Sequence, residues 1–257
     1  PRLMARFQST IRRSLLYLLE PATSTLDMQI LGRTLFHAAL VGAGAGLIGA
    51  GFFAALEYLQ RFFLEYLAGY VPLRAHGEQF AAGQPPGTFR PWLLVILPAL
   101  GALAGGLLSN YAPETRGGGG DAMIHAFHKQ GGLIRARVIW IKAFASLLTL
   151  GTGGAGGREG PTMQIGGALG SYVGQKLGVG PREMRLLMVA GVAAGISAVF
   201  RTPLGAALLA VEVLYRDDFE SEALVPAILA SVIAYSIVIS IFGESILFAR
   251  PPHLPFK

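Results

Sequence analysis

The sequence predicts an all-α membrane protein that crosses the bilayer several times, with tilted and partly re-entrant helices. Hydrophobic residues make up 53% of the 257 residues and charged residues 14%, whereas about 25% of a typical soluble domain is charged. The 35 glycines are roughly twice the usual share, and small residues let membrane helices pack closely. The sequence has no cysteine, which excludes disulfides and thiolate metal sites within it.

A series of apolar segments is long enough, or nearly long enough, to cross a hydrocarbon core that needs about 20 residues. They lie at residues 35–56, continued as a tilted helix to about Tyr66, and at 92–109, 134–150, 160–178, 184–199, 203–215 and 223–242. A polar loop at about 70–90 separates the first two. Several segments are shorter than a full crossing and are broken by glycines. This pattern predicts re-entrant helices, which bilayers tolerate where irregular backbone is buried or lines a cavity.

Residues 1–30 are predicted to form a cytoplasmic segment, residues 31–245 a transmembrane domain and residues 246–257 a connecting tail. Four arginines lie in the first segment, Arg2, Arg6, Arg12 and Arg13, and such residues favour the cytoplasmic side, here of the cell's inner membrane. Its apolar positions predict an amphipathic helix on the membrane surface, although a soluble cap is an alternative. The net charge of +6 suits contact with anionic lipid or attraction of anions, and nucleic acid is not expected as a partner because the arginines are dispersed.

The most informative motif is the glycine-dense run GTGGAGGREGPTMQIG at residues 151–166. Pro161 suits the first position of a helix, where its missing N–H leaves nothing unpaired. The carboxylate of Glu159 then lies at a helix N-terminus, where free N–H groups and the helix dipole favour an anion. A carboxylate held there can occupy an anion site when no free anion does, which is how a gate works. The alternative is that the glycines only permit close packing and Glu159 only caps a helix.

A second glycine run, Gly117, Gly118, Gly119 and Gly120, precedes Asp121 and an expected helix start. The alternative is a hinge loop, because glycine runs commonly mark turns. Asp121, His125 and His128 share one helical face, a spacing that could in principle hold a metal. A cap with two interfacial histidines explains this spacing more simply. No metal or other cofactor is therefore expected.

Two basic residues are candidates for attracting anions. Lys142 interrupts an apolar segment, where its charge would raise the local potential, although snorkelling to the interface is equally possible. Arg158 would attract anions beside Glu159, or alternatively pair with an acidic neighbour. No nucleophile with an adjacent base and no cofactor motif stands out, so an enzyme is not expected.

Residues 157–161, Gly-Arg-Glu-Gly-Pro, with the glycines before them and Gln164-Ile165-Gly166 after them, resemble the central signature of the CLC chloride channels and chloride–proton antiporters. The resemblance implies that Glu159 is the external gate and proton acceptor and that chloride is the transported ion. It implies anion ligands at both glycine-rich segments: Gly117, Gly118, Gly119, Gly120, Arg158, Gly160, Thr162 and Met163. The family motif at the second run reads Gly-Ser-Gly-Ile-Pro, and its serine falls on Gly118. Without that hydroxyl, only backbone N–H groups and water could hold the anion, so the sequence does not determine whether the site prefers chloride to other anions.

Residues 200–213 are similar to the family's helix-break-helix before the dimer interface. Antiporters of the family often carry two consecutive glutamates here, the second being the inner proton-transfer residue. Glu212 matches the first and Val213 takes the place of the second. Glu212 could serve an inner proton path, although a buried structural carboxylate is the favoured interpretation. Proton-coupled exchange, a passive chloride channel and a non-conducting assembly partner all stay open.

The resemblance covers about residues 30–243, the first of the family's two inverted repeats. In the family a second repeat follows and brings a Gly-x-Phe-x-Pro motif; residues 87–91, Gly-Thr-Phe-Arg-Pro, match that pattern but lie before the first glycine run rather than in a second repeat. We therefore expect a fragment or one partner of a split protein, with the second repeat supplied in cis or in trans. We also expect a homodimer through residues 203–215 and 223–242, whose small residues could pack closely. These are Gly205, Ala206, Ala207, Ala210, Ala227, Ala230, Ser231 and Ala234.

Overall fold

The computed structural model describes residues 25–72, 87–215 and 221–243, which contain helices and no strand. The predicted surface helix before residue 25 and the tail 246–257 lie outside the described residues. The α-helices are α1 (Thr25–Gln60), α2 (Leu93–Leu108), α3 (Gly120–Lys129), α4 (Arg137–Gly151), α5 (Glu159–Leu177), α6 (Pro181–Phe200), α7 (Pro203–Tyr215) and α8 (Ser221–Phe242). A π-helix at Arg61–Leu67 follows α1, and two short 3-10 turns, Ser109–Tyr111 and Pro113–Thr115, follow α2. The chain forms two compact units, Pro1–Thr34 and Leu35–Lys257.

The lengths of the helices agree with a membrane protein that contains both full and partial crossings. Among the described residues, four candidate spans are long and apolar enough to cross a bilayer: Leu31–Leu67, Leu93–Tyr111, Pro181–Phe200 and Glu222–Phe242. By contrast, α3, α4 and α7 have 10, 15 and 13 residues, or about 15, 22 and 20 Å, against a hydrocarbon core of about 30 Å. The predicted all-α membrane architecture is confirmed. The predicted apolar segments match the helices to within a few residues, except that α1 begins ten residues before the predicted start at residue 35 and that α3 is not among those segments.

Helix α6 lies at the centre of the larger unit and packs closely against α5. A Cβ atom added to Gly166 would lie 2.1 Å from the carbonyl oxygen of Gly191, so the two backbones touch. The same closeness holds one turn along, where a Cβ at Gly170 would lie 2.0 Å from Leu187 O. Any larger side chain at these crossings would push α5 and α6 apart. Gly166 and Gly170 therefore fix how closely α5 packs against α6.

Of the eight small residues predicted to form the dimer face on α7 and α8, all but Gly205 are buried within the chain, so the predicted dimer face is wrong in this respect. Ala230 is fully buried, and the backbone of α1 packs directly against it. A Cβ atom added to Gly42 of α1 would lie 2.6 Å from the carbonyl oxygen of Ala230. Ser231 is buried too, and its hydroxyl donates to the carbonyl of Pro203 at 2.9 Å. These small side chains let α8 approach its neighbours within the chain. The exposed faces carry larger apolar residues instead: Leu204, Leu208, Leu209, Val225, Val232 and Ile241.

Two helix starts differ from the predicted positions. Helix α5 begins at Glu159 with Arg158 as N-cap, so Pro161 is the third helical residue rather than the first. The first-turn N–H groups have no partner within a helix, and a proline there therefore removes no hydrogen bond. Helix α3 begins at Gly120, and its N-cap is Gly119 with φ 107° rather than Asp121.

Candidate anion site

The structure brings the two glycine runs into direct contact. A Cβ atom on Gly160 would lie 2.0 Å from the carbonyl oxygen of Gly118, and a Cβ on Gly119 would lie 2.7 Å from the carbonyl oxygen of Gly160. Gly119 also has a positive φ of 107°, a conformation that residues with a side chain rarely adopt. Glycine is therefore required at residues 119 and 160, and the start of α3 lies against the start of α5.

The free N–H groups at this contact follow from the helix geometry. In α5 the N–H of Thr162 donates to Arg158 O at 3.1 Å, which leaves the N–H groups of Glu159 and Gly160 without a helical acceptor. The hydroxyl of Thr162 also stays within its own helix, since it bonds Arg158 O at 2.9 Å and Glu159 O at 3.0 Å. Met163 is buried. Of the anion ligands implied for α5, the backbone N–H of Gly160 is thus better placed to bind an anion than either the N–H or the hydroxyl of Thr162.

Lys142 of α4 holds the start of the first glycine run. Its side chain is buried, with 3% exposed, and its Nζ donates to Thr115 O at 3.0 Å and to Gly117 O at 2.7 Å. The alternative that this lysine snorkels to the interface is therefore wrong. Its positive charge stays next to the glycine run and fixes the backbone from which the N–H groups project.

A cavity of about 430 Å³ connects these features. Its wall includes Gly117 and Gly118 of the first run, Gly157 and Pro161 of the second, and Lys142. It extends along α4, where Ser146 and Thr149 add hydroxyl groups, and reaches Arg116. The lining is thus neutral or positive, which suits an anion.

Glu159 is exposed at the first position of α5. Its side chain folds back over the preceding glycines, since a Cβ on Gly157 would lie 2.0 Å from its Oε2. Among the described residues no hydrogen-bond donor or cation pairs with this carboxylate. The alternative that Glu159 serves as a hydrogen-bonded cap therefore has no support in the geometry.

Sequence reasoning missed Phe53, a buried ring of α1 that receives two cations. The guanidinium carbon of Arg158 lies 5.8 Å from the ring centroid, and that of Arg201 lies 5.9 Å from it. Arg201 ends α6 with φ 56°, a left-handed conformation. Such contacts attract a cation to the ring face. The ring thus holds the Arg158 side chain beside Glu159. The sequence gives no signal for this role, because Phe53 is one phenylalanine among many apolar residues.

The remaining candidates lie apart from this contact. Glu212 is exposed on α7, so the favoured interpretation of a buried structural carboxylate is wrong, and Val213 beside it is half-buried. Asp121, His125 and His128 are exposed on α3. In the part of the chain that the structure describes, no three histidine, cysteine or acidic side chains come together as a metal-binding cluster.

Sequence reasoning named Gln164 in the signature but gave it no role; it is fully buried in α5. Its Nε2 donates to the carbonyl of Glu114 at 2.7 Å and so ties α5 to the turn before the first glycine run. A glutamine within an apolar helix was the available signal, because a buried amide needs partners.

Comparison with known proteins identifies the family to which the chain is similar. The family described as "Voltage gated chloride channel" matches residues 100–257. The H(+)/Cl(-) exchange transporter ClcA of Salmonella typhimurium is 36% identical over 216 residues, which are 82% of this chain and 42% of that protein. The protein of the same name from Vibrio campbellii is 32% identical over 224 residues, 85% of this chain and 45% of that one.

Two solved structures show the same fold. A slow cyanobacterial Cl-/H+ antiporter gives a TM-score of 0.63 at 28% identity, covering 83% of this chain and 48% of that chain. A CLC-type fluoride/proton antiporter gives 0.68 at 23% identity, covering 91% and 52%. This chain spans about half the length of the proteins it matches. By this similarity in sequence and fold, the chain is an integral membrane protein that belongs to the voltage gated chloride channel family, the CLC family, whose members are transporters and channels rather than enzymes.

Proposed function

We propose that this chain supplies half of a proton-coupled chloride path across the membrane, with Glu159 as the gate and proton acceptor. The contact between the two glycine runs, beside the buried ammonium of Lys142, is the observation that carries the proposal. Gly117, Gly118, Gly119, Gly120 and Gly160 would bind the anion through backbone N–H groups. Arg158 would raise the anion concentration at the mouth.

Electrostatics supports an anion rather than a cation at this contact. The starts of α3 and α5 meet there, and each helix start carries a partial positive charge of about half an elementary charge. The Lys142 ammonium donates a hydrogen bond to the carbonyl of Gly117, which precedes Gly118. Glu159 is the one carboxylate at the start of α5. Protonation of Glu159 would remove its negative charge and admit the anion, which couples the two ions.

A passive channel is the second candidate, and Val213 is the observation that favours it. An aliphatic side chain cannot pass on a proton, and Val213 stands where antiporters of the family often have a glutamate. The curated relatives are named H(+)/Cl(-) exchange transporters, which favours exchange. Proton movement is therefore the measurement that separates the two candidates.

The same proposal extends to partners and orientation. The second repeat, in cis or in trans, would cover the glycine runs from the other side. A second copy of the chain would bind through the exposed apolar faces of α7 and α8, where Leu208 and Val232 lie. Residues 1–30 would face the cytoplasm at the inner membrane.

The test is the variant Glu159→Gln in the complete protein in liposomes, with anion and proton flux measured together. We expect anion flux to persist or rise while proton movement stops, because the neutral amide cannot carry a proton and competes less with the anion. Glu222→Gln is a matched control, since Glu222 is exposed at the start of α8 and pairs with Arg182. Proton coupling that survives in Glu159→Gln would exclude the assigned role.

A further inference from the structure

Lys142 is a buried cation to which the described residues give no counter-ion. Both acceptors that its ammonium contacts are neutral backbone carbonyls, Thr115 O and Gly117 O. In the part of the chain that the structure describes, no carboxylate pairs with it. A buried charge is strongly unfavourable unless an opposite charge compensates it. Two carbonyl dipoles supply only part of that compensation.

The ammonium also has a hydrogen-bond donor left over. A lysine side chain carries three N–H donors, and the carbonyls of Thr115 and Gly117 accept two of them. The third N–H points away from both carbonyls, because the three bonds are spread tetrahedrally around the nitrogen. Thr115, Gly117 and Lys142 all line the anion cavity. This wall of the cavity therefore combines a positive charge with an unused donor.

Ser146 provides a second unused donor, one turn further along α4. Residues 142 and 146 share one face of the helix, and side chains at this spacing have Cβ atoms about 5–6 Å apart. Ser146 is buried and lines the same cavity as Lys142. Its hydroxyl bonds to none of the described residues, yet its oxygen is not fully enclosed. The hydroxyl therefore opens into the cavity.

The state of Ser146 differs from that of the other hydroxyl groups near the end of α4. A hydroxyl in a helix can donate to a carbonyl of the preceding turn. Thr149 does so to Ala145 O at 2.9 Å, and Thr152 does so to Leu148 O at 2.8 Å. The equivalent acceptor for Ser146 is the carbonyl of Lys142, which it does not use. Its donor is thus available to a ligand in the cavity.

The charges around the cavity favour an anion over water as that ligand. The described lining contains two cations, Lys142 and Arg116, and no carboxylate. A water molecule could accept both unused hydrogen bonds, but it would leave the ammonium charge without compensation. A monovalent anion accepts both bonds and also offsets the charge. The cavity of about 430 Å³ has room for an anion here as well as one at the helix starts.

We propose that a second, resident anion binds between Lys142 Nζ and Ser146 Oγ as the counter-ion of Lys142. We call it the α4 anion. Its chemical class is a halide-sized monovalent anion, such as chloride. The transported anion cannot serve this purpose throughout a transport cycle, because it leaves the site while Lys142 stays buried. The inference goes beyond the proposed function and does not require proton transfer by Glu159.

The first test locates anions in bromide-soaked crystals of the complete protein by anomalous scattering. Besides a peak at the N–H of Gly160, we expect a separate peak within hydrogen-bonding distance of Ser146 Oγ and Lys142 Nζ. In Ser146→Ala the affinity at the second peak should fall about tenfold or more, which is the effect of losing one hydrogen bond to a charged group. Thr149→Val is the matched control, because Thr149 lines the cavity but donates within α4. It should keep both peaks.

The second test is calorimetric titration with chloride of protein that has been dialysed free of halide. It separates a bound anion from one that enters only at the concentration of the soak. Ser146→Ala should weaken one chloride site about tenfold relative to Thr149→Val, and Ser146→Thr, which keeps the hydroxyl, should resemble the parent. The ratio of protons to anions moved in liposomes should be the same in all these variants, because the α4 anion is not transported.

Several results would overturn the inference. One is a single bromide peak that contacts both the N–H of Gly160 and Ser146 Oγ. Another is a carboxylate of the second repeat that pairs with Lys142 in the crystal of the complete protein. Unchanged chloride binding in a folded Ser146→Ala protein is a third, and a changed transport ratio would contradict a resident anion. A peak at Ser146 with none at Gly160 would instead overturn the proposed anion site, so the two failures are distinguishable.

Discussion

Gly118→Ser tests whether the first glycine run binds the anion directly. Gly118 lines the anion cavity, and a Cβ atom added there meets no heavy atom within 4 Å. Its φ lies outside the left-handed region, unlike those of Gly117 at 76° and Gly119 at 107°. A serine therefore fits at residue 118 without backbone strain, and its hydroxyl can turn toward the cavity.

The expected effect is tighter binding of chloride. A hydrogen bond to a charged group contributes about 1.5–3 kcal/mol, which would lower the dissociation constant by about tenfold to about a hundredfold. Ordering of the serine rotamer reduces this gain, so the lower end is expected. Calorimetric titration of the complete protein with chloride measures the change.

Gly118→Ala is the matched control, because it adds the same Cβ atom and changes the unfolded chain similarly but brings no donor. Gly118→Ser should bind chloride more tightly than Gly118→Ala, and Gly118→Ala should resemble the parent. Equal affinities in folded Gly118→Ser and Gly118→Ala proteins would refute the reasoning, since the hydroxyl would then not reach the anion.

Two further predictions concern the charge and the packing around the anion site. Lys142→Met should weaken chloride binding by about tenfold or more, because its ammonium lies 2.7 Å from Gly117 O in the first glycine run and a nearby unit charge is worth a few kcal/mol at an effective dielectric constant of about 20. Titration that shows unchanged affinity would exclude the electrostatic role. Gly191→Leu should destabilise the protein by several kcal/mol, because a Cβ at residue 191 would lie 2.2 Å from Gly166 O. Thermal unfolding in detergent measures this, and Gly51→Leu is the control because a Cβ at residue 51 meets nothing within 4 Å. Equal melting temperatures of the two variants would contradict the packing argument.

The helices themselves were predictable because their apolar runs are long and end at glycines, prolines or polar turns. The start of α5 was misplaced by two residues, since Pro161 is compatible with any position of the first turn. The contact between the two glycine runs followed only from the resemblance. Nothing in the spacing of residues 117–120 and 157–160 shows that they meet.

The environment of single residues was less predictable. An apolar helix with one lysine is compatible both with snorkelling and with burial. Lys142 can be buried because two backbone carbonyls accept hydrogen bonds from its ammonium group. The small residues of α8, such as Ala230, indicate a close helix contact but not whether the partner is the same chain or a second copy. Here the partner includes Gly42 of α1.

The central claim is that one anion binds where the starts of α3 and α5 meet. Crystals of the complete protein soaked in bromide test it directly, because bromide substitutes for chloride and is located by its anomalous scattering. The account predicts a peak within hydrogen-bonding distance of the N–H of Gly160 and of the run Gly117 to Gly120, near Lys142. A transport-active protein whose bromide peaks all lie away from this contact would contradict the account.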